Sequence, residues 1–367
     1  MSFLGFKVFD FFIMRIDMVT ISVFYKKMSS FFLLFLLMNL FFCISICSGS
    51  PEITARSKRM LHTFVEIKVC ANNSEKLFND IFAEMERVNS LLNNYNTASE
   101  ISKININAGG QYVPVSFETM EALNFAVGFA EMSGGAFDLT VGPLLKLWGF
   151  AKDEVGLDRE YPSSEDIEKY KALVDYRSLK LEFLNEGPKT LRRAKLLKKH
   201  MTIDVGAFSK GYVSDCAMKL LKKNGFKNAL ITAGGTIVAS GNKPDASLWK
   251  IGIRHPRKKD RFLSYVELKD CAVSTSGDYE KFYMNKNKRV AHIIDPRTGM
   301  PVDRHQSVTV IAKTGIESDA LSTALFVMNT KEGIGLVNGL SDVEALIIDQ
   351  AGQVFMSNGW PQKVVIY

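Results

Sequence analysis

From Met60 onward the hydrophobic period of the sequence keeps changing, without the regular strand–helix–strand rhythm that a parallel sheet requires. "TFVEIKVC" (63–70) is rich in β-formers, whereas "SEKLFNDIFAEMERVNSLLNNY" (74–95) sets Leu77, Ile81, Met85 and Val88 on one helical face. "TMEALNFAVGFAEMSGG" (119–135) reads as a second helix stopped by Gly134 and Gly135, and "YVSDCAMKLLKKNG" (212–225) as a third that ends at its glycine. "NALITAGGTIVASG" (228–241) reads as two short strands around a glycine pair, and "WKIGIRHP" and "SYVELKD" as further strands. "ESDALSTALFVMN" (317–329) is expected to be a helix with Ser318 as its N-cap. "VEALIIDQAGQVFMSNGW" then reads as a terminal hairpin turning at Gln350-Ala351-Gly352. With no repeat and no long linker, the expectation is an α+β fold of mixed, largely antiparallel sheets with packed helices.

The amino-terminal segment follows another rule. Lys26 and Lys27 precede the apolar run "FFLLFLLMNLFFCISI" (31–46), and Cys47, Ser48, Gly49 and Ser50 follow it. A charged start, an apolar stretch of about 7–15 residues and small residues beyond describe an export signal. The run falls short of the roughly 20 residues of a spanning helix. Residues 1–47 are therefore expected to be an export segment and 48–367 a single catalytic domain on the periplasmic or other extracytoplasmic face of the inner membrane. The part before Met28 reads as an upstream mis-start, since Met18 and Met28 offer more usual beginnings. Cys47 is a candidate for lipid anchoring, although Ile46 before it is bulky where a small residue is usual; plain cleavage is the alternative.

The net charge of +7 is carried partly by "RRAKLLKKH" (192–200) and "RKKDR" (257–261). Neither run has interleaved aromatics or a nucleic-acid motif, so both read as solvated faces and no nucleic-acid partner is expected. Cys70, Cys216 and Cys271 are scattered, with no metal-type pair and no disulfide framework.

The stretch "IDVGAFSKGYVSD" (203–215) has the look of a phosphate turn, yet its lysine precedes the second glycine, which a P-loop does not allow. In "SDALSTAL" (318–325), Asp319 and Thr323 stand at i and i+4, so a helix projects both from one face. A carboxylate and a hydroxyl there make a hard-oxygen pair suited to Mg²⁺. An acid that merely complements the helix dipole is the ordinary alternative. His292 in "AHIIDP" suits a general base, though a lone histidine on a strand is more often structural.

Five stretches stand in order: "GGAFDLTVGPLLKLWGF" (134–150), 203–215, "AGGTIVASG" (233–241), "STSGDYEKF…HIIDPRTGMP" (274–301) and "SDALSTAL". Together they resemble the FAD:protein FMN transferases, the ApbE-type flavin transferases, from about Arg59 to the end of the chain. The resemblance implies a T-fold-like architecture and Mg²⁺-dependent transfer of FMN from FAD to a threonine or serine hydroxyl of an acceptor flavoprotein, with release of AMP. It implies metal ligation by Asp319, Thr323 and nearby Ser322, completed by the Ala207 carbonyl. It implies FAD contacts from Leu61, Tyr95, Ala136, Phe137, Asp138, Asp204, Lys210, His292 and Ile293, with Tyr95 stacking on the flavin and His292 as the catalytic base. Phe137 and Tyr95 read equally well as packing residues, and Lys210 as an exposed lysine at a helix start. Acceptors by resemblance are subunits of membrane electron-transfer complexes or extracytoplasmic reductases. The alternatives are a Mg²⁺-dependent FAD pyrophosphatase and an exported flavin-binding protein without turnover.

The chain departs from the family pattern in three places. Leu61-His62-Thr63 stands where Met-Gly-Thr is usual, Thr236 where Asp or Asn is usual, and the segment 186–200 is unusually basic.

Overall fold

Ile53–Met60 (β1) and Thr63–Cys70 (β2) pair antiparallel with Met60 opposite Thr63, so Leu61 and His62 alone make the turn. Both are left-handed, at φ 53° and 55°, the conformation that a two-residue hairpin turn matched to strand twist demands. Glycine or asparagine normally takes such positions, and this chain holds a leucine and a histidine there instead. The computed structural model to which this hairpin belongs describes residues 52–71, 75–151, 160–186, 189–258, 260–286 and 288–361. The expected export segment, Cys47 and the boundary at 48 lie outside the described residues.

After β2 come Glu75–Leu92 (α1), Glu100–Ile106 (α2), Val113–Pro114 (β3), Phe117–Met132 (α3), Gly142–Leu147 (α4), Ser164–Lys171 (α5), Leu179–Glu186 (β4) and Lys189–Leu196 (β5). Ser209–Lys223 (α6) leads to Ala229–Ala233 (β6), Thr236–Ser240 (β7), Trp249–Arg254 (β8), Phe262–Leu268 (β9), Ala272–Gly277 (β10), Phe282–Asn285 (β11) and Lys288–Ala291 (β12). The last described elements are His305–Ala312 (β13), Gly315–Val327 (α7), Thr330–Asn338 (α8), Glu344–Asp349 (β14) and Val354–Met356 (β15).

One eight-stranded sheet runs β1-β2-β6-β7-β10-β13-β14-β15, with smaller sheets β3-β5-β4, β8-β9 and β11-β12. Every pairing between these strands is antiparallel. The α+β, largely antiparallel expectation therefore stands. The hairpin of β6 and β7 turns on Gly234 and Gly235 as expected. A side chain at Gly235 would come within 2.8 Å of the Thr275 carbonyl oxygen, so only glycine lets β10 approach.

The helices cover the sheet by the faces their period supplies. α1 buries Phe78, Ile81, Phe82, Met85, Val88 and Leu92, so the expected stripe is right in period but centred on Phe78 rather than the half-buried Leu77. α7 is buried along nearly its whole length, packed against β10, β13 and α6. Its start differs from the sequence expectation. The helix begins at Gly315 with Thr314 as N-cap, whose hydroxyl accepts from the Glu317 N–H; Ser318 lies within the helix. The cap is local, at the Thr-x-x-Glu spacing of Thr314 and Glu317, and Asp215 of α6 adds to it by accepting the Gly315 and Ile316 N–H groups at 2.7 and 2.9 Å. That burial pushes the Asp215 carboxyl up to about 6, opposed by the same two N–H bonds.

Candidate active site

The start of α6 crosses the start of α7, and the crossing is close because both helices have glycine there. A side chain on Gly211 would run into the Gly315 carbonyl. The Gly211 N–H, which in a continuing helix would bond to the carbonyl of Ala207, donates instead to Asp319 Oδ2 at 3.1 Å. Asp319 sits in the second turn of α7, so it is not a first-turn dipole partner. Burial raises its carboxyl above the ordinary carboxylate range; Lys210, the Gly211 N–H and the Thr236 hydroxyl oppose the rise. Lys210 is not a free surface lysine. Its ammonium donates to the Gly206 carbonyl at 3.0 Å and lies 3.7 Å from Asp319 Oδ2.

These groups open onto a cavity of about 320 Å³, within the usual range of small-molecule sites. Leu61, Tyr95, Ala136, Phe137, Asp138, Asp204, Ala207, Lys210, His292, Ile293, Asp319 and Thr323 all line it, so the structure brings together every residue singled out from the sequence except Ser322. Ser322 is fully buried and does not line the cavity; its hydroxyl donates to the Asp319 carbonyl at 2.9 Å and meets Ser276 Oγ at 2.8 Å.

The lining residues divide by what their side chains already do. Phe137 is buried with its ring edge-on to Phe129 and Phe208, a core residue whose place on the wall comes from its position in the turn. Asp138 is buried, and both oxygens are engaged: Oδ1 accepts from the Thr140 N–H and hydroxyl at 2.7 Å each, Oδ2 from the Tyr176 N–H at 3.0 Å. Desolvation raises its carboxyl, and those bonds pull it back. It braces the wall. Asp204 ties the turn together, accepting from the Gly206 N–H at 2.8 Å and from Asn94 Nδ2 at 2.9 Å. Tyr95 follows α1 in a turn closed by its N–H donating to Asn93 Oδ1, and its exposed ring stands edge-on to His62 at 5.2 Å.

His292 stands just after β12, half-buried. Its Nδ1 lies 3.0 Å from the Lys281 carbonyl, and a carbonyl only accepts, so Nδ1 carries the hydrogen and Nε2 keeps its lone pair. Desolvation, with Lys281 and Lys210 nearby, lowers its pKa to about 4 against the pull of that hydrogen bond. The imidazole is neutral at physiological pH.

Sequence reading missed several contributors. Asn94 reaches Asp204 from the end of α1, and only the turn-rich run "NNYN" hints at it. Thr236 lies beside Asp319 and accepts from Ser274 at 3.1 Å, and Ser276 touches both Ser322 and Thr323. Serine and threonine in a strand carry no local signal of such roles.

The chain has relatives in sequence and in fold. A sequence model of the ApbE family matches residues 61–347. The chain is 31% identical over 269 residues to the FAD:protein FMN transferase of Vibrio cholerae, covering 72% of this chain and 77% of the relative. It is 29% identical over 340 residues to that of Treponema pallidum, covering 88% and 92%. The crystal structure of an ApbE protein from Thermotoga maritima is similar with a TM-score of 0.74 at 33% identity, over 84% of this chain and 97% of the other.

Proposed function

The chain belongs to the ApbE family, and on that premise we propose that it moves the FMN half of FAD onto a threonine or serine hydroxyl of an acceptor protein. One observation carries the reading: His292, Lys210, Asp319, Thr323 and Ala207, from separate stretches, meet at one cavity of about 320 Å³.

Asp319, Thr323 and the Ala207 carbonyl would hold Mg²⁺. Among the described residues no group of three or more His, Cys, Asp or Glu converges on a metal. A set with one carboxylate suits an ion that takes its remaining ligands from water and substrate phosphates. The lining also carries Asp138, Asp204, Glu280 and Asp319 against Lys210 and Lys281, so a diphosphate entering without a cation meets net negative charge. When bound, Mg²⁺ neutralises charge on the diphosphate and polarises its phosphoryl oxygens. Ser322, held inward by its own hydrogen bonds, is left out of the set.

His292 Nε2 accepts the proton of the acceptor hydroxyl. The acceptor oxygen bonds to the FMN-side phosphorus, the bond from that phosphorus to the bridging oxygen breaks, and AMP leaves with that oxygen. Lys210, beside Asp319, supplies positive charge for the phosphoryl oxygens. The exposed Tyr95 ring, with His62 against its edge, offers a surface on which the flavin stacks. The export signal read from residues 1–47 points to an extracytoplasmic site of action, with or without a lipid on Cys47. The acceptors would be subunits of membrane electron-transfer complexes.

The test is release of AMP from FAD with and without an acceptor domain. Transfer requires that acceptor raises the rate and that chelation of Mg²⁺ stops it. Equal AMP release without acceptor makes the protein a pyrophosphatase, and stable FAD leaves it a binding protein.

A further inference from the structure

A chain of hydroxyls joins β10 to α7 beside the proposed metal donors, and Ser276 lines the same cavity as Asp319 and Thr323. Ser276 Oγ lies 2.8 Å from Ser322 Oγ and 3.3 Å from Thr323 Oγ1. The direction of each bond follows from counting protons. Ser322 has one hydroxyl hydrogen and donates it to the Asp319 carbonyl at 2.9 Å, since that oxygen only accepts. Ser276 must therefore be the donor toward Ser322, which uses its only hydrogen. Its contact with Thr323 then forms only if Thr323 donates.

A threonine within a helix ordinarily gives its hydrogen to the carbonyl one turn back. Here that carbonyl is Asp319, at 3.5 Å from Thr323 Oγ1 and already serving Ser322. Ser276 is the closer receiver. With its hydrogen drawn toward β10, the Thr323 hydroxyl turns lone pairs rather than a hydrogen toward the cavity, which is what a cation requires.

We propose that Ser276 is a positioning residue that makes the Thr323 hydroxyl a lone-pair donor to the cation site. This rests on the reading that Asp319 and Thr323 hold Mg²⁺. Without Ser276, only the Asp319 carbonyl, 3.5 Å away and already accepting from Ser322, is left to hold the Thr323 hydrogen back from the ion. Hydrogen-bond partners that orient a metal ligand are worth about 10–100-fold in metal affinity.

The experiment is calorimetric titration of Mg²⁺ into the FAD-saturated protein in the absence of acceptor. Ser276→Ala weakens Mg²⁺ binding by about 10-fold or more. Ser276→Thr, which keeps the hydroxyl, restores most of it. In a Thr323→Val background Ser276→Ala adds nothing further, whereas a merely structural serine would weaken binding in both backgrounds alike. Asp319→Ala is the control for the metal reading itself. If Asp319→Ala leaves the titration unchanged, the metal reading fails and takes the inference with it. If Asp319→Ala abolishes binding while Ser276→Ala matches the parent, or adds its full loss to Thr323→Val, the inference alone is overturned.

Discussion

The main-chain N–H of Gly211 donates to the Asp319 carboxylate at 3.1 Å, joining residues 108 apart in sequence. The bond holds the acid over the start of α6 and withholds from Ala207 the N–H that a continuing helix would supply. Lys210, one residue earlier, lies 3.7 Å from the same oxygen. The carboxylate, the carbonyl and the lysine are thus one unit, built where two helices cross on glycines.

Gly211→Ala should therefore damage fold and site together. Its methyl meets the Gly315 backbone, which cannot swing aside as a side chain would. Overpacking of this kind costs about 1–3 kcal/mol. Urea unfolding should show the loss and AMP release a larger one, because Asp319 loses its tether. An unchanged urea midpoint would mean that the crossing tolerates more room than its geometry implies.

His292 sets a pH dependence. Its pKa is lowered to about 4, chiefly by desolvation, from an ordinary value near 6.5. Between those values the unfolded chain binds a proton that the folded chain refuses, so stability falls as pH drops through that window. Above about 6.5 the residue makes no difference to the pH slope. Urea midpoints measured across this range should slope less in His292→Asn than in the parent. Transfer by His292→Asn should fall by about 10²–10⁴-fold at neutral pH, the usual worth of a general base.

Asp138 separates bracing from binding. Its carboxylate accepts three hydrogen bonds from Thr140 and Tyr176. Asp138→Ala leaves the buried Tyr176 N–H without its acceptor and should cost ~3 kcal/mol of stability. Thermal unfolding checks this. A variant as stable as the parent but with weaker FAD binding would show that the carboxylate serves the ligand instead.

His62 occupies a left-handed position at φ 55°. Glycine there relieves about 1–2 kcal/mol of backbone strain. Against that stands the edge contact with Tyr95, worth about 0.5–1.5 kcal/mol, and less because the Tyr95 ring is exposed. His62→Gly should therefore raise stability by under ~1 kcal/mol while weakening FAD binding. A clear loss of stability would mean that the contact outweighs the strain.

Much of this molecule was legible in its sequence because the signals were local. The period of α1, the glycine pair between β6 and β7 and the terminal hairpin all follow from short-range patterns. The i, i+4 spacing put Asp319 and Thr323 on one face, and both line the cavity. What escaped was decided across the chain. Part of the start of α7 is set this way, since Asp215, on another helix, accepts the Gly315 and Ile316 N–H groups beside the local Thr314 cap. Ser322 stands next to Thr323 in sequence, yet the helix turns it inward to Ser276. Asn94 and Thr236 support acids that lie far along the sequence. No local pattern carries that information.

The most direct measurement is the intact mass of a candidate acceptor domain after incubation with the protein, FAD and Mg²⁺. Flavin transfer predicts a gain of one FMN as a phosphoester, abolished by Asp319→Ala and by His292→Ala. AMP released while the acceptor mass stays unchanged, or labelling that survives both substitutions, would contradict it.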